Sequence, residues 1–571
     1  MGNYRTNPDP KQTSFPGGVP YIIGNEGCER FSFYGMKSIL QVHLTALFAA
    51  QAVQQNLSGH HAEQQAQETV HLFVAGVYAF PMLGAIFSDR LLGKYHTILW
   101  LSIVYCLGHF VLAIAENSLQ GMSIGLALIA IGSGGIKPCV SAHVGDQFGK
   151  ANWHLVERVF QAFYFSINFG SFFSTLLIPY IRAWEQEHLN WSLNIGGYEF
   201  TTSIAFGLPG LLMLFATFVF WMGRHQFVHI PPRPGGRLGL LDAMSSSLLF
   251  IGLIALPMFF WDMQSQSASG FWTVMTLCVG AGLAVFTYRQ RIQEDDGFLA
   301  ILLHSIRSWI NGRTQASRAE TSHHTNPRSI QNHWFYAASA RHFGDEQAMG
   351  TRAVVRIVTV FVLVSVFWAL FDQHASSWVR QAQRMDLDWN FSGRTWTLLP
   401  SQIGALNPLI VMALIPVNNF FLYPWIDKNL FKLTPLRKMT IGMYVASAAF
   451  VTVAVLQTWI DSAEQYGEPK ISVLWQFIPY LVMTQSEVMV SITGLEFAYT
   501  QAPRNMKSTI MGFWMLSIAL GNKLVAVVSQ IPDMELVRMF WLFAGLMAIA
   551  AILFGVRASF YQYEDFSQSH E

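Results

Sequence analysis

Apolar stretches of about twenty residues recur fourteen times along this chain of 571 residues. A bilayer core about 30 Å thick is crossed by roughly 20 residues of α-helix, and backbone polar groups in lipid must bond within their own segment. We therefore predict an all-α polytopic membrane protein with spans near residues 20–50, 68–90, 95–114, 121–141, 156–180, 200–223, 238–261, 271–289, 353–371, 395–421, 436–460, 471–500, 506–530 and 535–560.

The charge content agrees with a membrane protein. Charged residues make up 12% of the chain and hydrophobic residues 52%, whereas about 25% of an average soluble domain is charged. A water-soluble enzyme is therefore not expected. The formal net charge is +1, so no basic surplus indicates a nucleic-acid partner. The four cysteines form no C-x-x-C pair, and we expect no disulfide framework, no metal and no cofactor.

The distribution of Lys and Arg predicts the orientation. With the N-terminus inside the cell, 24 of these 35 residues fall in cytoplasmic segments, 6 fall in outer segments, and 5 lie within or at the ends of helices. Cytoplasmic loops of membrane proteins carry an excess of Lys and Arg. Both termini are therefore predicted to be cytoplasmic.

A polar stretch between about residues 290 and 352 divides the apolar pattern. Its first part, Phe298 to Ile310, is expected to form either an amphipathic helix in the membrane interface or a solvated loop. Twelve core helices in two six-helix bundles, with two inserted helices, are similar to the plan of the major facilitator superfamily. The expected division is a cytoplasmic tail at 1–19, a bundle at 20–223, a two-helix insert with a cytoplasmic linker at 224–352, a bundle at 353–560 and a cytoplasmic tail at 561–571.

Charged residues recur along one face of the first span. Glu26 and Arg30 are four residues apart, Glu29 is three from Glu26, and Lys37 lies seven beyond Arg30. A charged residue at the centre of a membrane helix costs about 2.5–3.5 kcal/mol, so such residues face a cavity and find partners. Two acids beside one base can hold a proton that leaves when another group binds the base. A helix-end cluster of ion pairs is the structural alternative.

Further ionisable residues lie in other spans. His71 and Tyr78 are seven apart on one face of the second span, where His71 is either a proton site or a structural hydrogen bonder. Lys137 follows a run of small residues and precedes Pro138, so it is expected to meet an anion. In the second half, Asp372 ends an aromatic stretch, and Glu487 lies midway along an apolar one.

Five motifs in order resemble those of the proton-dependent oligopeptide transporter family, a branch of the major facilitator superfamily. The first resembles the signature E-x-x-E-R-F-x-Y-Y-G, and the other four resemble motifs of the fourth, fifth, seventh and tenth helices. They lie at residues 26–35, 132–148, 163–171, 367–373 and 493–508. The stretch Gly84 to Lys94 resembles the loop motif of the superfamily, which implies a conformational latch at Asp89 and Arg90.

The resemblance implies a proton-coupled symporter that imports di- and tripeptides by alternating access, in which two halves rock around a central site. Arg30 and Lys137 would bind the peptide carboxylate, and Asn168, Asn407 and Glu487 would bind its amino group. The side-chain pockets would be lined by Tyr34, Tyr78, Tyr164, Trp368 and Trp514. Proton coupling would involve Glu26, Glu29, Arg30, His71, Asp372 and Glu487.

Two residues depart from the family pattern. Phe33 replaces the first Tyr of the signature, so the role of that hydroxyl does not carry over. Lys37 stands where many members have Arg. Lysine keeps the positive charge but cannot form the bidentate contact that an arginine makes with a carboxylate. Lys37 and Asp372 lie toward the outer ends of their spans and are expected to pair as a gate when the outside closes.

Other features of the chain concern its source and partners. The insert is similar in placement to that of bacterial members, and the short stretch 461–470 lacks the large extracellular domain of animal members. We therefore expect a monomer in a bacterial inner membrane, with peptides, protons and lipid as partners. A transporter of nitrate or another small anion, and a nutrient receptor without transport, are the alternatives; a membrane-embedded enzyme is the weakest reading because no catalytic motif is found.

Overall fold

The computed structural model describes residues 4–54, 59–189, 192–195, 198–201, 203–260, 267–312, 330–391, 394–501, 507–528, 535–561 and 563. Twelve helices of this part of the chain are long and apolar enough to cross a membrane. The first helix and the helical stretch at 473–500, which carry acidic residues of the candidate site, complete the fourteen predicted spans. Residues 313–329 of the predicted linker and 502–506 of the last motif lie outside the described residues.

In the described residues, the first bundle contains seven α-helices, of which α3 continues the direction of α2. They are α1 (Val19–Gln54), α2 (Gly59–Ala79), α3 (Pro81–Phe87), α4 (Lys94–Ile114), α5 (Leu119–Gly145), α6 (Val156–His188) and α7 (Ile204–Met222). A π-helical turn at Ser88–Leu92 ends α3. Gly93 then takes a positive φ of 79°, which reverses the chain into α4.

The insert begins with a helical hairpin. It comprises α8 (Gly236–Phe250), a π-helical turn (Ile251–Ala255), α9 (Leu256–Phe259) and α10 (Ala268–Ile292). Two shorter helices follow, α11 (Phe298–Ile310) and α12 (Ala337–Phe343). Residues 298–310 are therefore helical, and the solvated-loop alternative is wrong. One face of α11 is buried at Ala300, Ile301 and Ser305.

The second bundle has longer helices interrupted by turns. They are α13 (Asp345–Phe371), α14 (Ser377–Gln383), α15 (Leu406–Val417), α16 (Tyr423–Asn429), α17 (Pro435–Tyr466), α18 (Phe477–Glu487), α19 (Thr493–Thr500), α20 (Lys507–Val528) and α21 (Leu536–Ser559). Two π-helical turns, Asn418–Leu422 and Val488–Ile492, join α15 to α16 and α18 to α19.

Two antiparallel β-hairpins correct the predicted span ends. Strand β1 (Ser192–Ile195) pairs with β2 (Tyr198–Thr201), and β3 (Asp388–Phe391) pairs with β4 (Arg394–Thr397). The spans predicted from 200 and 395 therefore start too early. Both stretches contain aromatic and β-branched residues, which favour strands. Conversely, α6 continues to His188 rather than 180, because its end is a polar extension beyond the apolar stretch.

The buried apolar residues form two large cores, one in each bundle. A smaller cluster lies where α2, the α8–α9 segment and α20 meet, and it contains Ala75, Phe250, Met258 and Ala519. The insert therefore packs against both bundles along the line where α2 meets α20. For orientation, we call the end of the molecule that carries Lys37 and Asp372 the gate end, and the end that carries Arg90 the insert end.

Candidate functional site

Four charged side chains meet inside the first bundle. Arg30 Nε lies 2.7 Å from Glu26 Oε1 and 3.4 Å from Glu29 Oε2, and Lys137 Nζ lies 3.4 Å from Glu29 Oε1. Glu26, Glu29 and Lys137 are buried, and Arg30 retains 13% of its side-chain exposure. Two acids and two bases thus balance each other where unpaired charges would be costly. An anion that binds the bases would compete with Glu29.

Small residues bring Lys137 to this position. A Cβ added to Gly84 would lie 2.1 Å from the carbonyl oxygen of Gly134, so α3 and α5 approach closely only because these residues lack side chains. Lys137 Nζ then lies 4.5 Å from the ring centroid of Phe33 and 5.5 Å from that of Tyr78. The ring of Phe33 is therefore a cation–π partner of Lys137 at the position where the family signature has Tyr.

The gate end holds an ion pair between the two bundles. Lys37 Nζ lies 2.8 Å from Asp372 Oδ1. Asn522 Nδ2 donates to Asp372 Oδ2 at 2.6 Å, and Asn522 Oδ1 lies 2.8 Å from His71 Nδ1. His71 Nε2 lies 3.0 Å from Ser376 Oγ. A continuous buried chain of contacts therefore links the predicted proton site at His71 to the predicted gate.

Four further polar contacts between described residues join the bundles beside this pair. Gln67 Nε2 donates to Gln373 Oε1 at 3.2 Å and to Ser377 Oγ at 3.3 Å. Arg380 forms an ion pair with Glu63, and its Nη1 donates to Gln67 Oε1 at 3.4 Å. Because Glu63 and Gln67 belong to α2, and the other three residues belong to the start of the second bundle, the gate end is closed in this structure.

Glu487 lies in the second bundle with neutral partners. Asn407 Nδ2 donates to Glu487 Oε2 at 2.7 Å and to Thr484 Oγ1 at 3.2 Å. Glu487 is half-buried and forms no ion pair with a described residue. A half-buried carboxylate without a cation can accept a positively charged ligand group.

The predicted aromatic and amide residues fall into separate groups. The ring centroids of Trp368 and Trp514 lie 5.8 Å apart, and both side chains are buried. Tyr34 and Tyr78 pack against the core of the first bundle, and Tyr78 also packs against that of the second. Asn168 donates to the carbonyl oxygen of Tyr164 in its own helix at 3.0 Å, so no described hydrogen bond joins Asn168 to Glu487 or Asn407.

The predicted latch residues lie next to the insert. Arg90 Nη1 lies 3.2 Å from Asp295 Oδ1 and 3.6 Å from Asp242 Oδ2. The carbonyl oxygen of Asp89 accepts a hydrogen bond from the backbone N–H of Arg233 at 2.9 Å. The loop motif is therefore bound to the insert, a partner that sequence analysis did not identify.

Sequence analysis also missed Asn522, Ser376, Gln67 and the pair Glu63–Arg380. A polar amide within the apolar stretch of α20 was the available signal for Asn522. The other residues lie near helix ends, where polar side chains are ordinary. Among the residues that the structure describes, no group of three or more His, Cys, Asp or Glu side chains is placed to hold a metal ion.

Two helical bundles that enclose charged residues at their centre and meet through a closed polar gate define a polytopic membrane transporter. The profile described as PTR2: POT family matches residues 95–542, and the chain belongs to this family. The family is one of transporters, which agrees with the expectation that the chain is not an enzyme.

Individual relatives cover nearly the whole chain. The protein named Peptide transporter family 1 of Drosophila melanogaster is 26% identical over 98% of this chain and 89% of its own length. The crystal structure of an auto inhibited POT family peptide transporter is 34% identical, with a TM-score of 0.71, over 97% of this chain and 99% of that chain. The POT family transporter PepTSo is 36% identical, with a TM-score of 0.69, over 96% and 98%.

Proposed function

We propose that this chain is a proton-coupled symporter that imports di- and tripeptides by alternating access. The observation that carries this proposal is the polarity of the site. Arg30 and Lys137 lie in the first bundle, and Glu487 lies in the second without a cation among the described residues. A zwitterion with a carboxylate at one end and an amine at the other matches this arrangement. The names of the relatives, which refer to peptide transport, support the same substrate class.

The peptide carboxylate binds Arg30 and Lys137 in competition with Glu29. Glu29 now contacts both bases, at 3.4 Å each. When the peptide draws the bases away, Glu29 becomes a buried carboxylate with weaker partners, and a proton neutralises it. Peptide and proton therefore bind together. Glu26, which contacts only Arg30 among the described bases, assists in the same way.

The peptide amine binds Glu487, which Asn407 orients through its hydrogen bond. Asn168 provides a further polar contact for the amine. The side chains of the peptide lie against the aromatic residues Tyr34, Tyr78, Tyr164, Trp368 and Trp514. Because aromatic walls contact many side chains with little geometric demand, the site accepts varied peptides.

Alternating access exchanges contacts at the two ends of the molecule. The gate end faces the outside of the cell, both termini face the cytoplasm, and Lys37 and Asp372 separate when the outside opens. His71 and Asp372 take part in this step as proton-binding groups, and Asp89 and Arg90 act as the latch at the opposite end. The rocking units are residues 20–223 and 353–560, with the insert and linker at 224–352 between them. The chain works as a monomer in a bacterial inner membrane.

Uptake into proteoliposomes tests this function. Labelled dialanine is offered with and without an imposed inward proton gradient, with free alanine and nitrate as parallel substrates. Accumulation of dialanine that disappears after a protonophore supports the proposal. Binding without accumulation would indicate a receptor, and accumulation of nitrate instead of dialanine would indicate an anion transporter.

A further inference from the structure

The inserted hairpin is bound to the loop between α3 and α4 by two arginines and two aspartates. Arg90 of the loop contacts Asp242 of α8 and Asp295 after α10. Arg289 of α10 completes the network, since its Nε lies 2.6 Å from Asp242 Oδ1 and its Nη2 3.8 Å from Asp295 Oδ1. Arg289 is 3% exposed, so the cost of burying its positive charge is compensated by these two aspartates.

Backbone contacts reinforce this attachment. The N–H group of Gly235 donates to the carbonyl oxygen of Arg90 at 3.1 Å. A Cβ added to Gly239 would lie 2.0 Å from the same oxygen, so α8 packs directly on the loop. The insert is therefore fixed to the first bundle at the insert end.

The chain then crosses to the second bundle within a few residues. Glu294 Oε1 lies 2.7 Å from Nε2 of His342, which belongs to the helix preceding α13. The ring of Phe298 lies 5.7 Å from that of Phe513 in α20. Asp295, which contacts Arg90 of the first bundle, thus lies between Phe298, which contacts the second bundle, and Glu294, which contacts the helix that leads into the second bundle.

Helix α11 extends the attachment, because Ile301 is buried in the core of the second bundle, and α11 also bonds to α12, which leads into α13. His304 Nδ1 lies 2.9 Å from Ser339 Oγ, and Ser305 Oγ lies 2.7 Å from the same oxygen. Ser305 and Ser339 are fully buried. In addition, the α8–α9 segment packs where α2 meets α20. The insert therefore contacts the first bundle near the start of α8 and the second bundle at Phe298 and α11.

We propose that the described residues 236–260 and 267–310 act as a strap that sets the spacing of the two bundles at the insert end and so stabilises the conformation in which the gate end is closed. Three peptide units from Asp295 to Phe298 span at most about 11 Å. When the bundles rock, the distance between Arg90 and Phe513 changes, and so short a segment does not keep both contacts. The contacts of the strap therefore belong to one conformation and bias the equilibrium toward it.

A disulfide assay at the gate end tests this proposal. A Cβ added to Gly404 would lie 3.6 Å from Thr175 Cγ2, so cysteines at these two positions meet across the bundles when the gate end is closed. The pair Thr175→Cys and Gly404→Cys is placed in a background whose four native cysteines are serine. The protein in lipid nanodiscs is oxidised with copper phenanthroline, and the loss of free thiols is followed with a maleimide polymer.

Three variants are compared with the parent. Asp295→Asn weakens the contact of segment 294–298 with Arg90 of the first bundle, and Phe298→Ala removes its ring contact with Phe513 of the second. Asp146→Asn is the matched control, because Asp146 pairs with Lys94 at 2.6 Å with similar exposure and both residues belong to the first bundle. We expect the crosslinking rate to fall about threefold or more in each strap variant and to stay within error in the control.

The double variant Asp295→Asn with Phe298→Ala makes the test sharper. Because the two contacts act in series, the double variant should crosslink no more slowly than the slower single variant. Parent-like rates in both single variants, an equal fall in Asp146→Asn, or additive effects in the double variant would overturn the proposal. The assay needs neither peptide nor proton gradient, so its outcome is independent of the proposed transport function.

Discussion

Lys37 and Asp372 lie 335 positions apart in the chain, yet their charged atoms are 2.8 Å apart in a contact that joins the two bundles. Each side chain is 7% exposed. Removing one partner of a buried ion pair costs about 3–5 kcal/mol, because the remaining charge stays buried without compensation. Since the two residues belong to different bundles, this cost falls on the closed conformation of the gate.

Single removal of either charge should therefore impair gradient-driven uptake. Lys37→Ala and Asp372→Ala should each lower the uptake of dialanine at least tenfold, because the gate end closes less readily. The charge swap Lys37→Asp with Asp372→Lys should recover part of the activity. Uptake is measured in proteoliposomes at equal protein amounts. If the charge swap takes up no more dialanine than Lys37→Asp or Asp372→Lys alone, the pairing is contradicted.

Asn522 should couple His71 to this gate. Asn522→Ala removes both the donor to Asp372 and the acceptor that faces His71. We expect gradient-driven uptake to fall and its pH profile to change, because protonation of His71 no longer acts on Asp372. Asn418→Ala is the matched control, since Asn418 is equally buried and pairs with Gln485 away from the gate. An unchanged pH profile in Asn522→Ala would exclude the coupling.

The helices could be predicted from the sequence because each span depends on its own apolar length. Every predicted span overlaps a helix of the structure, and the errors are at the ends. The spans predicted from 200 and 395 begin in β-strands, and the helix predicted to end at 180 continues to His188. Hydropathy shows which stretches are apolar enough to lie within the bilayer. It contains no information on the strands and helix ends outside the bilayer.

The site was predictable where charge marked the residues. Glu29, Arg30 and Lys137 carry charges that lipid does not tolerate, and they contact one another in the structure. Asn522 and Asp295 were not predicted, although each contacts a residue that was. Asn522 is neutral, and Asp295 lies in a polar stretch, so only the packing of distant segments shows their roles. The functions assigned to all these residues stay predictions.

Glu116 should show a pH-dependent cost of burial. It lies between α4 and α5, and its carboxylate contacts Arg182 at 2.7 Å. Burial raises the pKa of the Glu116 carboxyl above its ordinary value of 4.5, against the lowering effect of Arg182. Because the pKa of Glu116 is higher in the folded state than in the unfolded state, protonated Glu116 contributes fully to stability below pH 4.5. This contribution is lost as the pH rises through the folded-state pKa.

Glu116→Gln should therefore raise the melting temperature of the purified protein relative to the parent, and more so at pH 7.5 than at pH 4. Arg182 keeps Glu185 as a partner at 3.5 Å, so the substitution does not leave it unpaired. The measurement is thermal unfolding in detergent at both pH values. A melting temperature that falls more at pH 7.5 than at pH 4 would show that the ion pair outweighs the cost of burial.

Glu487 should determine the affinity for the peptide amine. Glu487→Gln keeps an oxygen that accepts the hydrogen bond from Asn407 and removes the negative charge. A hydrogen bond to a charged group contributes about 1.5–3 kcal/mol, so the affinity for dialanine should fall roughly ten- to hundredfold. Competition against labelled peptide uptake measures this affinity. Glu496→Gln, at an exposed position of the following helix, is the matched control and should have no effect.

N-acetylated dialanine lacks the charged amine, so any affinity it has should be the same for the parent and Glu487→Gln. An equal loss for both ligands would show that Glu487 supports the site without binding the amine.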